Sequence, residues 1–246
     1  MSAVIVLCGG KGERLRSVVS DRPKVLAEVG GRPFLAHVLH RLIDDGASEV
    51  FLSTGYRADM VAEFVRESGD WTVPVHCLAE PEPLGTAGAL RYVCAEAALT
   101  ETFFVLNGDT WFDGALGDLG AFHAEHRARL SIALVEVEDG SRYGQVRHDA
   151  QSGQVTSFEE KGQNAAPGWI NAGLYRIEPS VIDLIPAGRK CSLEREIFPR
   201  LIGDGLYARG FDVASFLDIG TPEDFDRAQE LLASRPDPNQ ETEGPA

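Results

Sequence analysis

Cysteine is scarce in this chain, four residues among 246, at positions 8, 77, 94 and 191 with no Cys-x-x-Cys. That spacing excludes a disulfide scaffold, a zinc ribbon and a thioredoxin-like motif, and it reads as reduced, mostly buried thiols. Basic residues are also few. Lys and Arg number 23 against 38 Asp and Glu, a net charge of −15. So acidic a balance argues against nonspecific binding to nucleic acid or to an anionic membrane. No apolar run approaches the roughly 18 residues of a membrane span. The apolar start at positions 3–8 has no basic residues before it and does not read as a secretory signal, so a cytoplasmic location is expected. No internal repeat, hexapeptide array, Gly-x-Ser-x-Gly elbow or His-Glu-x-x-His pair occurs, which argues against a fused acyltransferase, a serine hydrolase and a zinc peptidase.

What is present is an ordinary globular composition, 43% hydrophobic and 25% charged, in a chain long enough for a sizeable core. Positions 3–7, 50–52, 73–78 and 102–106 read as buried strands. Between them, 33–43, 58–67 and 86–98 have helical spacing, with Pro33 suited to a first helical turn. Such alternation implies a parallel sheet with helices on both faces and ligands at the carboxyl ends of its strands. After a helix around 116–128, the segments 130–137, 144–147, 155–159 and 169–176 are β-like and separated by Gly, Asp and Ser, suggesting antiparallel additions. Helical stretches at 179–184 and 193–202, strands at 206–208 and 214–217 and a closing helix at 222–233 follow. The expected fold class is therefore α/β, Rossmann-like, with a mixed, mainly parallel central sheet flanked by helices. One domain is expected over 1–233, and the proline-bearing tail 234–246 reads as disordered.

The first strand runs into Cys8-Gly9-Gly10-Lys11-Gly12-Glu13-Arg14-Leu15-Arg16. Glycines directly after a strand let backbone approach a ligand closely, and their N–H groups suit phosphate. Neither familiar phosphate motif fits. No Gly-Lys-Ser/Thr is present for a Walker A loop, and Leu15 stands where Gly-x-G-x-x-Gly needs its last glycine. Arg14, Arg16, Arg22 and Lys24 nevertheless gather four cations beside the glycines, in a protein otherwise strongly negative. Arg suits bidentate phosphate contact and Lys acts as a point charge, so the cluster points to a nucleoside triphosphate.

Gly9-Gly10-x-Gly12-x-Arg14-Leu15 followed by Pro23-Lys24 resembles, without gaps, the signature of sugar-1-phosphate nucleotidylyltransferases. The resemblance extends to the Asp-Ile-Gly-Thr-Pro-Glu-Asp segment that begins at Asp218. It implies that the loop, with Leu7, Gly9, Gly10 and Gly12, wraps the triphosphate. It also implies that Arg14 contacts phosphate oxygens and that Lys24 bridges the α-phosphate and the incoming sugar phosphate. Glu13 stands where the family has Thr, and its carboxylate is expected to turn away from the phosphates. Ser17-Val18-Val19 and Val25 also depart from the family pattern. The wording Arg-Ser-Val-Val-Ser-Asp is similar to the branch that uses D-glycero-D-manno-heptose 1-phosphate.

Two carboxylates end expected strands, Asp109 after Phe103-Phe104-Val105-Leu106-Asn107-Gly108 and Asp218 after Phe216-Leu217. Two hard oxygen ligands plus triphosphate oxygens make a natural Mg²⁺ arrangement. An Asp in a strand-end turn is an equally ordinary explanation for each alone. By resemblance the pair holds the catalytic Mg²⁺. In Glu80-Pro81-Glu82-Pro83-Leu84-Gly85-Thr86, the resemblance places Gly85 and Thr86 against the nucleotide and Glu80 where thymidylyl members carry a base-reading Gln. An ionised carboxylate only accepts, and guanine alone offers two neighbouring donors, N1–H and N2–H₂, so Glu80 favours GTP. By the same resemblance Asn107, Gly144, Glu160, Lys161 and Asn171 contact the sugar phosphate. The histidine pairs His37/His40 and His123/His126 have metal-compatible spacing but no third ligand, and read as helix-surface residues.

The function expected is transfer of a guanylyl group from GTP to a sugar 1-phosphate, with a heptose 1-phosphate preferred. Mannose 1-phosphate or another sugar 1-phosphate is the alternative. The GDP-sugar would feed capsule or lipopolysaccharide synthesis, and a homo-oligomer is compatible with the sequence. Two rivals are a glycosyltransferase, although Asn107-Gly108-Asp109 is no Asp-x-Asp, and an inactive nucleotide-sugar-binding homologue, although Arg14, Lys24, Asp109 and Asp218 are all kept.

Overall fold

A computed structural model describes residues 2–10, 12–15, 17–68, 71–159, 166–213 and 216–233, with only the backbone of Glu13. In chain order its first half comprises β1 (Ser2–Leu7), β2 (Glu28–Val29), β3 (Arg32–Pro33), α1 (Phe34–Asp44), β4 (Ala47–Thr54), α2 (Ala58–Glu67), β5 (Val75–Ala79), α3 (Gly85–Glu96), β6 (Phe103–Asn107) and β7 (Thr110–Phe112). The second half comprises α4 (Leu116–His126), β8 (Leu130–Val137), β9 (Gln145–His148), β10 (Val155–Glu159), β11 (Gly168–Ile177), α5 (Phe198–Leu201), β12 (Leu206–Gly210), β13 (Phe216–Asp218) and α6 (Pro222–Ala233).

The sheet divides as the sequence pattern predicts. Strands β5, β4, β1 and β6 are neighbours in that order and mutually parallel. Beyond β6 the sheet turns antiparallel, through β11 to β8 and β9, with β10 on β9 and β12 parallel to β8. Strand side chains alternate between faces, and here the alternation feeds two cores. Val4, Val6, Leu52, Phe104 and Leu106 pack under α1, α4 and α6. Ile5, Phe51, Phe103 and Val105 pack on the other face with Leu90 and Val93 of α3. Each such fully buried branched side chain contributes about 1.5–3 kcal/mol. Runs apolar at every position are what a strand covered on both faces requires.

Several details depart from the sequence reading, the small β2–β3 pair among them. Pro33 precedes helix α1 as its N-cap instead of opening its first turn. The expected helix 193–202 is one π-helical turn, Leu193–Ile197, followed by the short α5. Strand β7 is not foreseen by the sequence pattern. It is three residues long and pairs with β13 in a separate small sheet. The tail at 234–246 lies outside the described residues. Among those described, no helix is long and apolar enough to cross a membrane.

Candidate active site

The carboxyl ends of β1, β4 and β6 meet in one place. Gly108 N–H donates to Leu7 carbonyl at 3.0 Å, and Cys8 N–H donates to Ser53 carbonyl at 2.7 Å. A β-carbon on Gly108 would lie 2.7 Å from that Leu7 oxygen, so only glycine lets the two strand ends run so close. Cys8 is buried there, and burial pushes its thiol far above the ordinary range, so it is an inert packing group and no nucleophile. The loop then passes Gly9, Gly10 and Gly12. Gly12 takes a positive φ of 59° and folds onto Lys24, whose β-carbon would be 3.0 Å from a β-carbon at Gly12.

The small β7–β13 sheet brings Asp109 and Asp218 together. Asp218 pairs in register with Thr110, and Ile219 N–H donates to Asp109 carbonyl at 3.0 Å. Lys24 Nζ reaches between the two side chains, 2.5 Å from Asp109 Oδ2 and 3.8 Å from Asp218 Oδ1. All three are largely withdrawn from solvent, with side-chain exposures of 12% for Lys24, 33% for Asp109 and 18% for Asp218. Arg14, itself exposed, approaches the same cluster. A β-carbon on Gly220 would lie 3.0 Å from an Arg14 guanidinium nitrogen and 2.8 Å from Asp218 Oδ1. Two carboxylates with no thiolate or imidazole form an oxygen-only donor set, the kind Mg²⁺ takes, with its remaining positions left to water and phosphate. Among the described residues no group of three or more acidic, histidine or cysteine side chains could hold a metal alone.

Glu80 stands on the other side of the loop. A β-carbon on Gly9 would lie 2.7 Å from Glu80 Oε1. The carboxylate is already anchored, because Oε1 accepts from the Ser53 hydroxyl at 2.9 Å and Oε2 from Leu84 N–H at 3.0 Å. A carboxylate has about four lone-pair positions, so each oxygen keeps acceptor capacity beyond these two bonds. The amino end of α3 is less free than its sequence suggests. Ala87 and Gly88 N–H both donate to Cys191 carbonyl, at 3.0 and 3.3 Å, and position 85 requires glycine both for its φ of 72° and because a β-carbon there would be 2.6 Å from the same oxygen. Thr86 is likewise engaged. Its hydroxyl donates to Glu194 Oε2 at 2.9 Å and accepts from Leu193 N–H at 2.9 Å.

Next to the carboxylates is a cleft of about 250 Å³ lined by residues that include Asn107, Gly144, Asn171, Glu194 and Asp218. Asn171 N–H donates to Gly144 carbonyl at 2.9 Å, and Asn171 Nδ2 donates to the Tyr175 hydroxyl at 2.8 Å. Tyr175 is wholly buried, and burial pushes its phenol well above the usual range, so it is a fixed neutral partner beneath the cleft. Asn107, Gly144, Asn171 and Asp218 thus line one cleft, and short contacts link Lys24 to Asp109 and Asp218, Gly12 to Lys24, Gly220 to Arg14, Gly9 to Glu80 and Leu7 to Gly108. Gly10 is exposed on the loop. Glu160, Lys161 and the Glu13 side chain lie outside the described residues.

Comparison with known proteins shows the family of the chain. A profile described as Nucleotidyl transferase matches residues 3–235. The chain belongs to the nucleotidyl transferase family. It is 39% identical over 229 residues to a mannose-1-phosphate guanylyltransferase of Mycobacterium tuberculosis, covering 91% of this chain and 62% of that protein. It is 40% identical over 225 residues to a mannose-1-phosphate guanylyltransferase catalytic subunit beta of Drosophila melanogaster, covering 90% and 60%. The chain thus spans about three-fifths of these relatives' length. Among solved structures, HddC from Yersinia pseudotuberculosis complexed with GMP-PN is 34% identical, with a TM-score of 0.83 over 94% of this chain and 100% of that one.

Sequence reasoning passed over Ser53, Tyr175 and the role of Glu194. Glu194 left one signal, a Ser-Leu-Glu-Arg-Glu-Ile-Phe-Pro run from Ser192 to Pro199 that resembles a stretch of the mannose and heptose guanylyl branches without giving Glu194 a role. The histidines are corrected. His37 and His123 are core residues, 3% and 6% exposed. His37 Nε2 is 2.8 Å from Val29 carbonyl, and His123 Nδ1 is 2.9 Å from the Ser131 hydroxyl.

Proposed function

We propose that this chain transfers a guanylyl group from GTP to a sugar 1-phosphate, giving a GDP-sugar and pyrophosphate. The observation that carries the reading is Lys24 held between Asp109 and Asp218 at the mouth of the glycine loop. A cation and two carboxylates stand there with a sugar-sized cleft on one side and Glu80 on the other. Asp109 and Asp218 would hold Mg²⁺, which supplies charge neutralisation at the triphosphate.

In the proposed reaction an oxygen of the sugar phosphate forms a bond to the α-phosphorus of GTP as the bond to pyrophosphate breaks. The attacking phosphate is already anionic, so no general base and no covalent enzyme intermediate are needed. Arg14 and Lys24 hold the negative oxygens in line, with Lys161 added by resemblance. Catalysis is then positioning and charge neutralisation. Glu80 would accept the guanine N1–H and N2–H₂ with the acceptor capacity left after Ser53 and Leu84. Glu194, with Asn107 and Asn171, would take sugar hydroxyls in the cleft, together with Glu160.

The acceptor we favour is D-glycero-D-manno-heptose 1-phosphate, on the likeness of the 16–21 segment to that branch. Mannose 1-phosphate is a second reading, favoured by the names of the curated relatives. The test is pyrophosphate release from GTP, dTTP, UTP and ATP in Mg²⁺ against a panel of sugar 1-phosphates. Release with GTP and one of these two acceptors supports the reading. Release only with another base, or none with any pair, overturns it.

A further inference from the structure

The loop between β8 and β9 carries Tyr143 and Gly144 into the cleft, and ahead of Gly144, whose carbonyl accepts from Asn171 N–H, its backbone hydrogen bonds among the described residues are local. Ser141 N–H donates to Asp139 Oδ1 at 2.9 Å, and Tyr143 N–H to Gly140 carbonyl at 3.1 Å. Arg142 adds a long-range tie. Its guanidinium Nη2 donates to Thr221 Oγ1 at 2.9 Å and to Asp224 Oδ2. Asp224 is buried at the amino end of α6, with 2% of its side chain exposed, and it also accepts from the Thr221 hydroxyl at 2.7 Å. Thr221 lies just after the strand that ends in Asp218.

We propose that Arg142 is a positioning residue for the acceptor sugar, tying the loop that lines the sugar cleft to the segment that presents Asp218. The inference rests on the reading of that cleft as the sugar-phosphate pocket. On one side of the tie, Tyr143 packs on Phe216 with ring centroids 5.6 Å apart, and Gly144 carbonyl accepts from Asn171 N–H. On the other, Thr221 and Asp224 fix the start of α6 directly behind Asp218. The bond therefore sets the distance between one wall of the cleft and the carboxylate at its floor. Among the described residues its bonds reach neither Glu80 nor the glycine loop, and Asp218 is itself held by the β13–β7 pairing and by Lys24, so losing the tie should move the sugar-side loop more than the nucleotide side.

The test uses Arg142→Ala and Arg142→Lys in the full chain. Asp224 keeps Thr221, the favourable end of α6, and Arg227 at 3.8 Å, which limits the cost of losing Arg142, and a thermal melt of each variant checks that it is folded. With Arg142→Ala, KM for the sugar 1-phosphate should rise at least tenfold while KM for GTP stays within twofold. Arg142→Lys should restore part of the loss, because its ammonium can donate to Asp224 and Thr221 as the single Arg142 Nη2 does, but from a shorter and more flexible side chain. Equal rises in both KM values, or no change in either, would overturn the proposal. Hydrogen exchange at the amides of 141–144 supplies a second readout that needs no turnover. Faster exchange there in Arg142→Ala is expected, and unchanged exchange would refute the tie even if the wild type proved inactive with every substrate pair. Wild-type inactivity alongside faster exchange would leave the tie standing and remove only the assignment of the cleft to sugar phosphate.

Discussion

Lys24 Nζ lies 2.5 Å from Asp109 Oδ2, and through that contact a residue beside the glycine loop meets a residue at the end of β6. The same ammonium is 3.8 Å from Asp218 Oδ1, so one cation balances two carboxylates delivered by different strands. Such a cluster is poised to exchange partners. When phosphate oxygens and a cation enter, the lysine can turn to phosphate and the carboxylates to the metal.

That exchange makes the carboxylates replaceable in shape but not in charge. Asp109→Asn and Asp218→Asn should each abolish turnover while melting close to the wild-type temperature. Steady-state rates in Mg²⁺ with a parallel thermal melt check this, and a near-wild-type rate in either variant would remove it from the metal site.

Lys24→Ala should lower kcat by two to three orders of magnitude, since a lost charge contact to the transferring phosphate is worth about 3–4 kcal/mol. It also leaves Asp109 and Asp218 facing each other without their cation, so some loss of stability accompanies it. A rise in KM alone would assign Lys24 to ground-state binding.

Glu80→Gln keeps the anchoring bonds within reach, because an amide oxygen can still accept from Leu84 N–H and the NH₂ can donate to the Ser53 hydroxyl. One acceptor for guanine becomes a donor. Discrimination in favour of GTP should fall by roughly 2–4 kcal/mol in kcat/KM, measured against dTTP, UTP and ATP. An unchanged preference would show that backbone groups read the base.

Glu194→Gln should raise KM for the sugar 1-phosphate by about 10–100-fold, the equivalent of a charge-assisted bond of roughly 1.5–3 kcal/mol. KM for GTP should hold. Equal effects on both substrates would place Glu194 in the structural link through Thr86 and not in sugar recognition.

His123 sets an acid limit on stability. Burial, reinforced by the nearby Arg176 charge, lowers it to about 4 from an ordinary 6.5. Below pH 6.5 the unfolded chain takes a proton on this ring and the folded chain does not until about pH 4. The contribution of His123 is therefore fully present above pH 6.5 and declines as the pH falls toward 4, by about 3 kcal/mol in all. Urea unfolding at pH 7.5, 6 and 5 should show a shallower acid loss for His123→Gln than for the wild type, and parallel losses would contradict the assignment.

The sequence by itself determined the parallel half of the sheet, the antiparallel additions, the glycine loop with Arg14 and Lys24, and the two candidate metal carboxylates. Those features are written locally, in the period of apolar residues, in glycines that permit positive φ, and in Asp at strand ends. What only the tertiary structure decided depends on residues far apart in the chain. The β7–β13 pairing that joins Asp109 to Asp218 needs β7, whose three residues are too few to leave a periodic signal, to meet the strand that the pattern at 214–217 marks. The capture of the α3 amides by Cys191 turns on where a distant loop passes. His37 and His123 have the spacing of surface residues and become core residues because carbonyl and hydroxyl partners meet them inside. The Arg142–Asp224 tie has the same origin, since a buried charge is tolerable only where the chain path delivers its partner.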